Sequence, residues 1–187
     1  MIRKNTTFCI CDFETTGVDP EKDFPIEIGC IFTDSNFIVK NTMQSLIRFP
    51  EVVDKITDGD YVRWPAEWTP AFDVHKIDAY KIRGGFTPES IAADLIEIVN
   101  EIKVDKTSKC IILSDNAQFE YRFMEKIFKH TGKKFPFHYC AWDTSLLLEA
   151  SGVKDPIPVH RAFADASLLH HAVVRAMERC DFYETNK

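Results

Sequence analysis

The stretch Cys9-Ile10-Cys11-Asp12-Phe13-Glu14-Thr15-Thr16-Gly17 constrains this chain more than any other. Thr7 to Phe13 is apolar and rich in strand-forming residues, the pattern of a buried β-strand. Side chains two apart in a strand point to the same side, so Asp12 and Glu14 face together, about 6.6 Å apart along the backbone. Two carboxylates at the end of such a strand repel each other, and burying them together is costly. Cations between them relieve that repulsion, and hard oxygen ligands of this kind suit Mg²⁺ or Mn²⁺. Read alone, Asp-x-Glu fits the solvated face of an edge strand equally well. The Thr15-Thr16-Gly17 that follows makes the stretch more specific.

A chain of 187 residues is the size of one ordinary domain with a substantial core. It has no apolar run of about 18 residues, so no membrane helix is expected. Met1-Ile2-Arg3-Lys4-Asn5 lacks a signal-peptide profile, which points to a cytoplasmic protein. The six cysteines have neither Cys-x-x-Cys nor zinc spacing and read as reduced, buried small hydrophobes. A net charge of −6 argues against a broad basic nucleic-acid surface but leaves room for a site that grips a short terminal stretch.

Taken in order, Val18 to Pro25 is a loop, and Ile26–Thr33 and Phe37–Ile47 are strands joined by an Asp34-Ser35-Asn36 turn. Periodicity fades over 48–86, which reads as an aromatic loop insertion. Tyr61, Trp64 and Trp68 there either stack on bases or pack the loop onto the domain, packing being the commoner use of such rings. Thr87 and Pro88 open a helix that carries Ile91, Leu95, Ile98, Val99 and Ile102 at helical spacing. Lys109–Ser114 is a short strand delivering Asp115-Asn116-Ala117-Gln118-Phe119-Glu120 at its end, with a helix over Ala117–His130. Phe137–Trp142 reads as another strand, and Asp143-Thr144 as the cap of a helix running to Ala150. Pro156 and Pro158 keep the next segment extended, and a final helix spans about Arg161 to Cys180. On a regular helix His160 and Asp165 would lie about 140° apart. The prolines instead put His160 in the loop and Asp165 on the helix, so that both can reach one cleft.

Three segments carry a family resemblance in matching order. Asp12-Phe13-Glu14-Thr15-Thr16-Gly17 resembles the first motif of the DEDDh 3′-to-5′ exonucleases, which include the proofreading subunit of bacterial replicative polymerase, RNase T and oligoribonuclease. Asp115-Asn116-Ala117-Gln118-Phe119-Glu120 is similar to the second, His-Asn-Ala-x-Phe-Asp, with Glu120 in place of the usual aspartate and Asp115 in place of the histidine. His160-Arg161-Ala162-Phe163-Ala164-Asp165 matches the third, His-x-Ala-x-x-Asp. Val74-His75-Lys76-Ile77 resembles the short His-Gly-Ile element, with Lys76 replacing the glycine. The resemblance implies an α/β fold: an RNase H-like mixed five-stranded sheet, an antiparallel meander followed by parallel strands, flanked by helices. The whole of 1–187 is then one exonuclease domain.

It also implies a site and a reaction. Asp12, Glu14, Glu120 and Asp165 hold two Mg²⁺ or Mn²⁺ ions, with Asp12 shared between them. His160 is the general base that takes a proton from the attacking water, a role suited to histidine's ordinary titration range. Thr15, Thr16, Val18, His75, Ile77, Asn116 and Phe119 contact the substrate end. The partner is the 3′ end of single-stranded DNA or RNA, shortened with release of nucleoside 5′-monophosphates. Several relatives are dimers, and any polymerase or accessory partner would be a separate chain. Two rival readings compete: a nucleic-acid-binding module whose active site has decayed, supported by Glu120 and the acidic charge, and a phosphodiesterase of very short oligonucleotides.

Overall fold

The computed structural model describes residues 4–56 and 64–180; Tyr61 lies outside them. In chain order the elements are β1 (Thr6–Thr15), β2 (Pro25–Thr33), β3 (Val39–Leu46), α1 (Pro50–Lys55), a 3₁₀ turn (Ala66–Trp68), α2 (Thr69–His75), α3 (Ala79–Ile82), α4 (Pro88–Ile102), β4 (Lys109–Ser114), α5 (Ala117–Thr131), β5 (Trp142–Asp143), α6 (Ser145–Ser151) and α7 (Ala162–Arg179). The strands form one sheet in the order β3-β2-β1-β4-β5. β1, β2 and β3 pair antiparallel, while β4 joins β1, and β5 joins β4, in parallel. This is the mixed five-stranded, helix-flanked sheet of the RNase H-like fold.

The period of two along each strand divides the core into two layers. Cys9, Cys11 and Phe13 of β1, with Ile26, Ile28, Cys30 and Phe32 of β2, pack under Ile91, Leu95 and Val99 of α4 and Phe123 and Ile127 of α5. Phe8 and Ile10, with Ile31, Ile111 and Leu113, pack under Leu148 of α6 and Leu169, Val173 and Ala176 of α7. Asp12 and Glu14 share parity with Phe8 and Ile10, so they belong to the α7 face of the sheet. α4 is capped as its sequence predicts, with Thr87 Oγ1 accepting from the Ser90 amide at 3.4 Å and Pro88 opening the first turn. Cys9, Cys11, Cys30 and Cys110 are buried and all six cysteines are free thiols. No described helix is long and apolar enough to cross a membrane.

Two expectations need correction. Segment 48–86 holds short helices rather than a long loop: α1, α2 and α3 run six, seven and four residues, too short to show a period. They are marked instead by local start signals, Pro50, Pro70 and an Asp78 side chain that accepts from the Tyr80 amide at 2.9 Å. Trp68 is buried, and Trp64 Nε1 donates to the Ile77 carbonyl at 2.8 Å, so both rings pack this segment onto the domain. The strand expected over Phe137–Trp142 also forms later and shorter, as Trp142–Asp143. Pro136 has no amide to offer a ladder. Phe135 and Phe137 stack edge-on with Phe128 in a cluster at the end of α5, which holds that stretch as irregular chain.

Candidate metal and catalytic site

β1 outruns its partner. Pairing with β4 ends at Ile10↔Leu113, while β1 continues to Thr15. The overhang carries Asp12 and Glu14 to an open corner of the sheet. There α7 brings up Asp165, and one carboxylate oxygen from each of Asp12, Glu14 and Asp165 lies within 4.8 Å of the others. Asp165 sits in the first turn of α7 and faces back down the chain. Its Oδ1 accepts from the Val159 amide at 2.8 Å and its Oδ2 from the Arg161 amide at 3.1 Å.

Glu120 approaches the same corner from α5. It is buried, 4% exposed, and its Oε2 has no hydrogen-bond partner. Glu120 is therefore not a solvent-facing residue of α5. The uncompensated burial of a carboxylate is expensive, and each such group needs a reason. Burial, then the neighbouring Asp12, Cys11 and Glu14, push its acid well above the ordinary carboxylate range. Burial together with Glu14 and Asp165 pushes Asp12 up to about 9. Burial, Glu27 and Asp165 push Glu14 up to about 7, with Arg161 pulling the other way. A cluster this reluctant to ionise in bare protein fits divalent cations: hard oxygen donors from four residues, one of them with an orphaned oxygen.

The signs give a test. A carboxyl whose folded value is raised above its unfolded value stabilises the fold at low pH and loses that contribution as pH climbs through the folded value. For Asp12 the window runs from about 4 to 9 and for Glu14 from about 4.5 to 7. Metal-free protein should therefore melt at progressively lower temperature from pH 5 to pH 9. Added Mn²⁺ or Mg²⁺ should raise the melting temperature most at the alkaline end, as differential scanning fluorimetry in EDTA and in metal reads directly. A metal shift that is flat with pH would count against these carboxylates as the site.

His160 stands in the loop before α7, as its proline neighbours predict. It is exposed, and its backbone is left-handed (φ 59°), a conformation unfavourable for a side chain with a Cβ and often found where function fixes the geometry. The other sequence candidates divide. Thr15 Oγ1 donates to the Gly17 carbonyl at 2.6 Å and Thr16 Oγ1 accepts from the Phe24 amide at 2.9 Å, so both hydroxyls build the turn beside the site. Val18 is almost fully exposed on that turn, at 83%. Asn116 caps α5, its Oδ1 accepting from the Phe119 amide at 3.4 Å, and Phe119 packs on Phe123. His75 is buried rather than a surface residue. Its Nδ1 accepts from the Ile77 amide at 2.9 Å, which leaves the ring proton on Nε2, and burial brings its pKa down to about 4. Lys76, where the family element has glycine, takes up the left-handed backbone (φ 54°) that glycine would supply freely.

Sequence reading passed over Glu27. It is 1% exposed, directly opposite Glu14 across the β1–β2 pair, and holds Arg161 through two bonds. The available signal was a lone charge in the otherwise apolar Ile26-Glu27-Ile28-Gly29-Cys30-Ile31-Phe32 run.

A mixed sheet with three carboxylates gathered at the open end of its first strand, and Glu120 buried beside them, makes an acidic corner on an RNase H-like scaffold. Residues 9–59 match the RNase_T family (exonuclease). Exodeoxyribonuclease I of Buchnera aphidicola subsp. Baizongia pistaciae (strain Bp) is 30% identical over 133 residues, which are 68% of this chain and 24% of that protein. The zinc-bound complex of E. coli exonuclease I with single-stranded DNA superposes with a TM-score of 0.68 at 20% identity, over 95% of this chain and 42% of that one. The nuclease domain of 3′hExo, a DEDDh family member bound to rAMP, does so with 0.64 at 16% identity, over 92% of each chain. This chain thus spans about a quarter of the curated relative's length. The chain is similar to the RNase_T exonucleases over residues 9–59 and shares the fold of solved exonuclease structures, a DEDDh family member among them.

Proposed function

We propose that this protein is a metal-dependent 3′–5′ exonuclease of single-stranded nucleic acid. The observation that carries the reading is the convergence of Asp12, Glu14 and Asp165 within 4.8 Å, with the orphaned Glu120 Oε2 buried alongside. In this reading Asp12, Glu14, Glu120 and Asp165 would hold two Mg²⁺ or Mn²⁺ ions. Such cations, when bound, would neutralise the carboxylates and supply electrostatic stabilisation to a phosphodiester displacement. His160 would accept a proton from the attacking water, a role its solvent exposure leaves open. Val18, exposed on the turn after β1, and the neutral His75, with Ile77 beside it, flank the terminal nucleotide. Thr15 and Thr16 hold the turn, and Asn116 and Phe119 hold the start of α5 that carries Glu120. A buried, orphaned Glu120 supports an intact site over a decayed one, because nothing in a mere binding module would sustain its cost.

The test uses 5′-labelled single-stranded DNA and RNA of one sequence, incubated with Mg²⁺ or Mn²⁺ beside an EDTA control. A ladder shortening from the 3′ end, absent with EDTA, is the expected result, and the faster polymer identifies the substrate class. Folded protein that binds both strands without cutting either would sink the proposal. A length series on the same label separates a polymer exonuclease from an enzyme confined to very short oligonucleotides.

A further inference from the structure

Glu27 and Arg161 stand 134 residues apart in sequence and meet as a two-pronged ion pair. Arg161 Nε donates to Glu27 Oε2 at 3.1 Å and Nη2 to Oε1 at 2.5 Å. Glu27 Oε2 also accepts from the Ala162 amide at 3.1 Å, so a strand residue caps the start of α7. The helix needs this, because Arg161 occupies its N-cap position and offers no side-chain acceptor. The pair is bidentate and its carboxylate is 2% exposed, which makes it directional rather than a loose surface contact.

Its placement ties it to the acidic corner. Val159 and Arg161 are fixed through their amides to Asp165, and Arg161 is fixed again through its side chain to Glu27. His160 is the residue between these anchors, held in a left-handed backbone that a residue with a Cβ seldom adopts. Glu27 also lies opposite Glu14, where two like charges repel across the strand pair. The Arg161 guanidinium offsets that repulsion. We infer that Glu27 and Arg161 form a positioning clamp that sets the His160 backbone and the Asp165 carboxylate against the Asp12–Glu14 edge. The inference rests on the exonuclease reading for its catalytic consequence, while the clamp itself is a matter of loop order.

Arg161→Lys keeps the charge and loses the fork, so it is the sharper variant; Glu27→Gln is its complement, and the Glu27→Gln/Arg161→Gln double removes both charges. In wild type that makes a ladder, Arg161→Lys should keep its melting temperature and KM while kcat falls on the order of 10²-fold, the scale of a small misplacement of a reacting group. Hydrogen exchange at the Val159, Arg161 and Ala162 amides should quicken in both single variants. The double variant should be no slower in turnover than either single one, because the two residues act as a unit. An active wild type with an unaffected Arg161→Lys overturns the clamp alone. A wild type without a ladder overturns the exonuclease reading and with it the catalytic use of the clamp, and unchanged amide exchange in both variants overturns the clamp whatever the activity.

Discussion

Replacing Asp12 with asparagine is expected to abolish strand shortening while making the metal-free protein more stable. Asp12 is the most crowded of the acids: Glu14, Asp165, Cys11 and Glu27 all disfavour its charge, after burial itself. Without cations the fold must either ionise it against those neighbours or hold a proton on it far above its unfolded range. Asparagine keeps the shape and removes both penalties. The gain should therefore grow with pH, small at pH 5 and largest near pH 9, with each kcal/mol worth about 2–4 °C in melting temperature for a chain of this size. On the proposed exonuclease reading, turnover should fall on the order of 10³-fold or more, since Asp12 would be one of the cation ligands. The stabilising shift with Mn²⁺ should shrink in parallel. An Asp12→Asn protein that melts lower than wild type in EDTA at pH 8 would show that this carboxylate is not under repulsive load.

Gly29→Ala is the second large effect, and it acts through space rather than charge. Gly29 lies opposite Asp12 on β2, where α7 crosses the sheet. A Cβ there would come within 2.2 Å of the Phe163 amide nitrogen and 2.3 Å of the Ala162 carbonyl carbon. Backbone cannot swing aside as a flexible side chain does, so the first turn of α7 must lift. Overpacking of this kind costs about 1–3 kcal/mol, or more, which is roughly 3–10 °C here. The lift also carries Asp165 away from Asp12 and Glu14, so cation binding should weaken beyond what the stability loss explains. Gly84→Ala is the control: its Cβ meets only the Lys81 carbonyl oxygen, at 3.6 Å, and should be tolerated. Equal effects of the two substitutions would contradict the close seating of α7.

Why some of this was readable in the sequence and some was not follows from the range of each signal. β4 at Lys109–Ser114 and α4 after Thr87-Pro88 announce themselves through apolar period and capping chemistry, both local. The separation of His160 in the loop from Asp165 on α7 follows from two nearby prolines. The helices between Pro50 and Ile82 were hidden because none lasts long enough to repeat its buried positions. β5 was misplaced because the rings of Phe135 and Phe137 serve α5 rather than a ladder. Glu120 could be matched to a motif, but that its Oε2 is buried and unpartnered is a property of packing. Glu27 is the clearest case: its meaning depends on Glu14 across the sheet and on Arg161 far along the chain, and no window of sequence holds all three.

The sheet order has a consequence for synthesis. β1 is made first, yet its acids stay uncompleted until β4 and α5 have been laid beside it and the segment after residue 160 has docked on β2. A nascent chain that stops short of residue 165 therefore lacks the third carboxylate of the Asp12–Glu14–Asp165 cluster, and the acidic corner closes only when α7 seats.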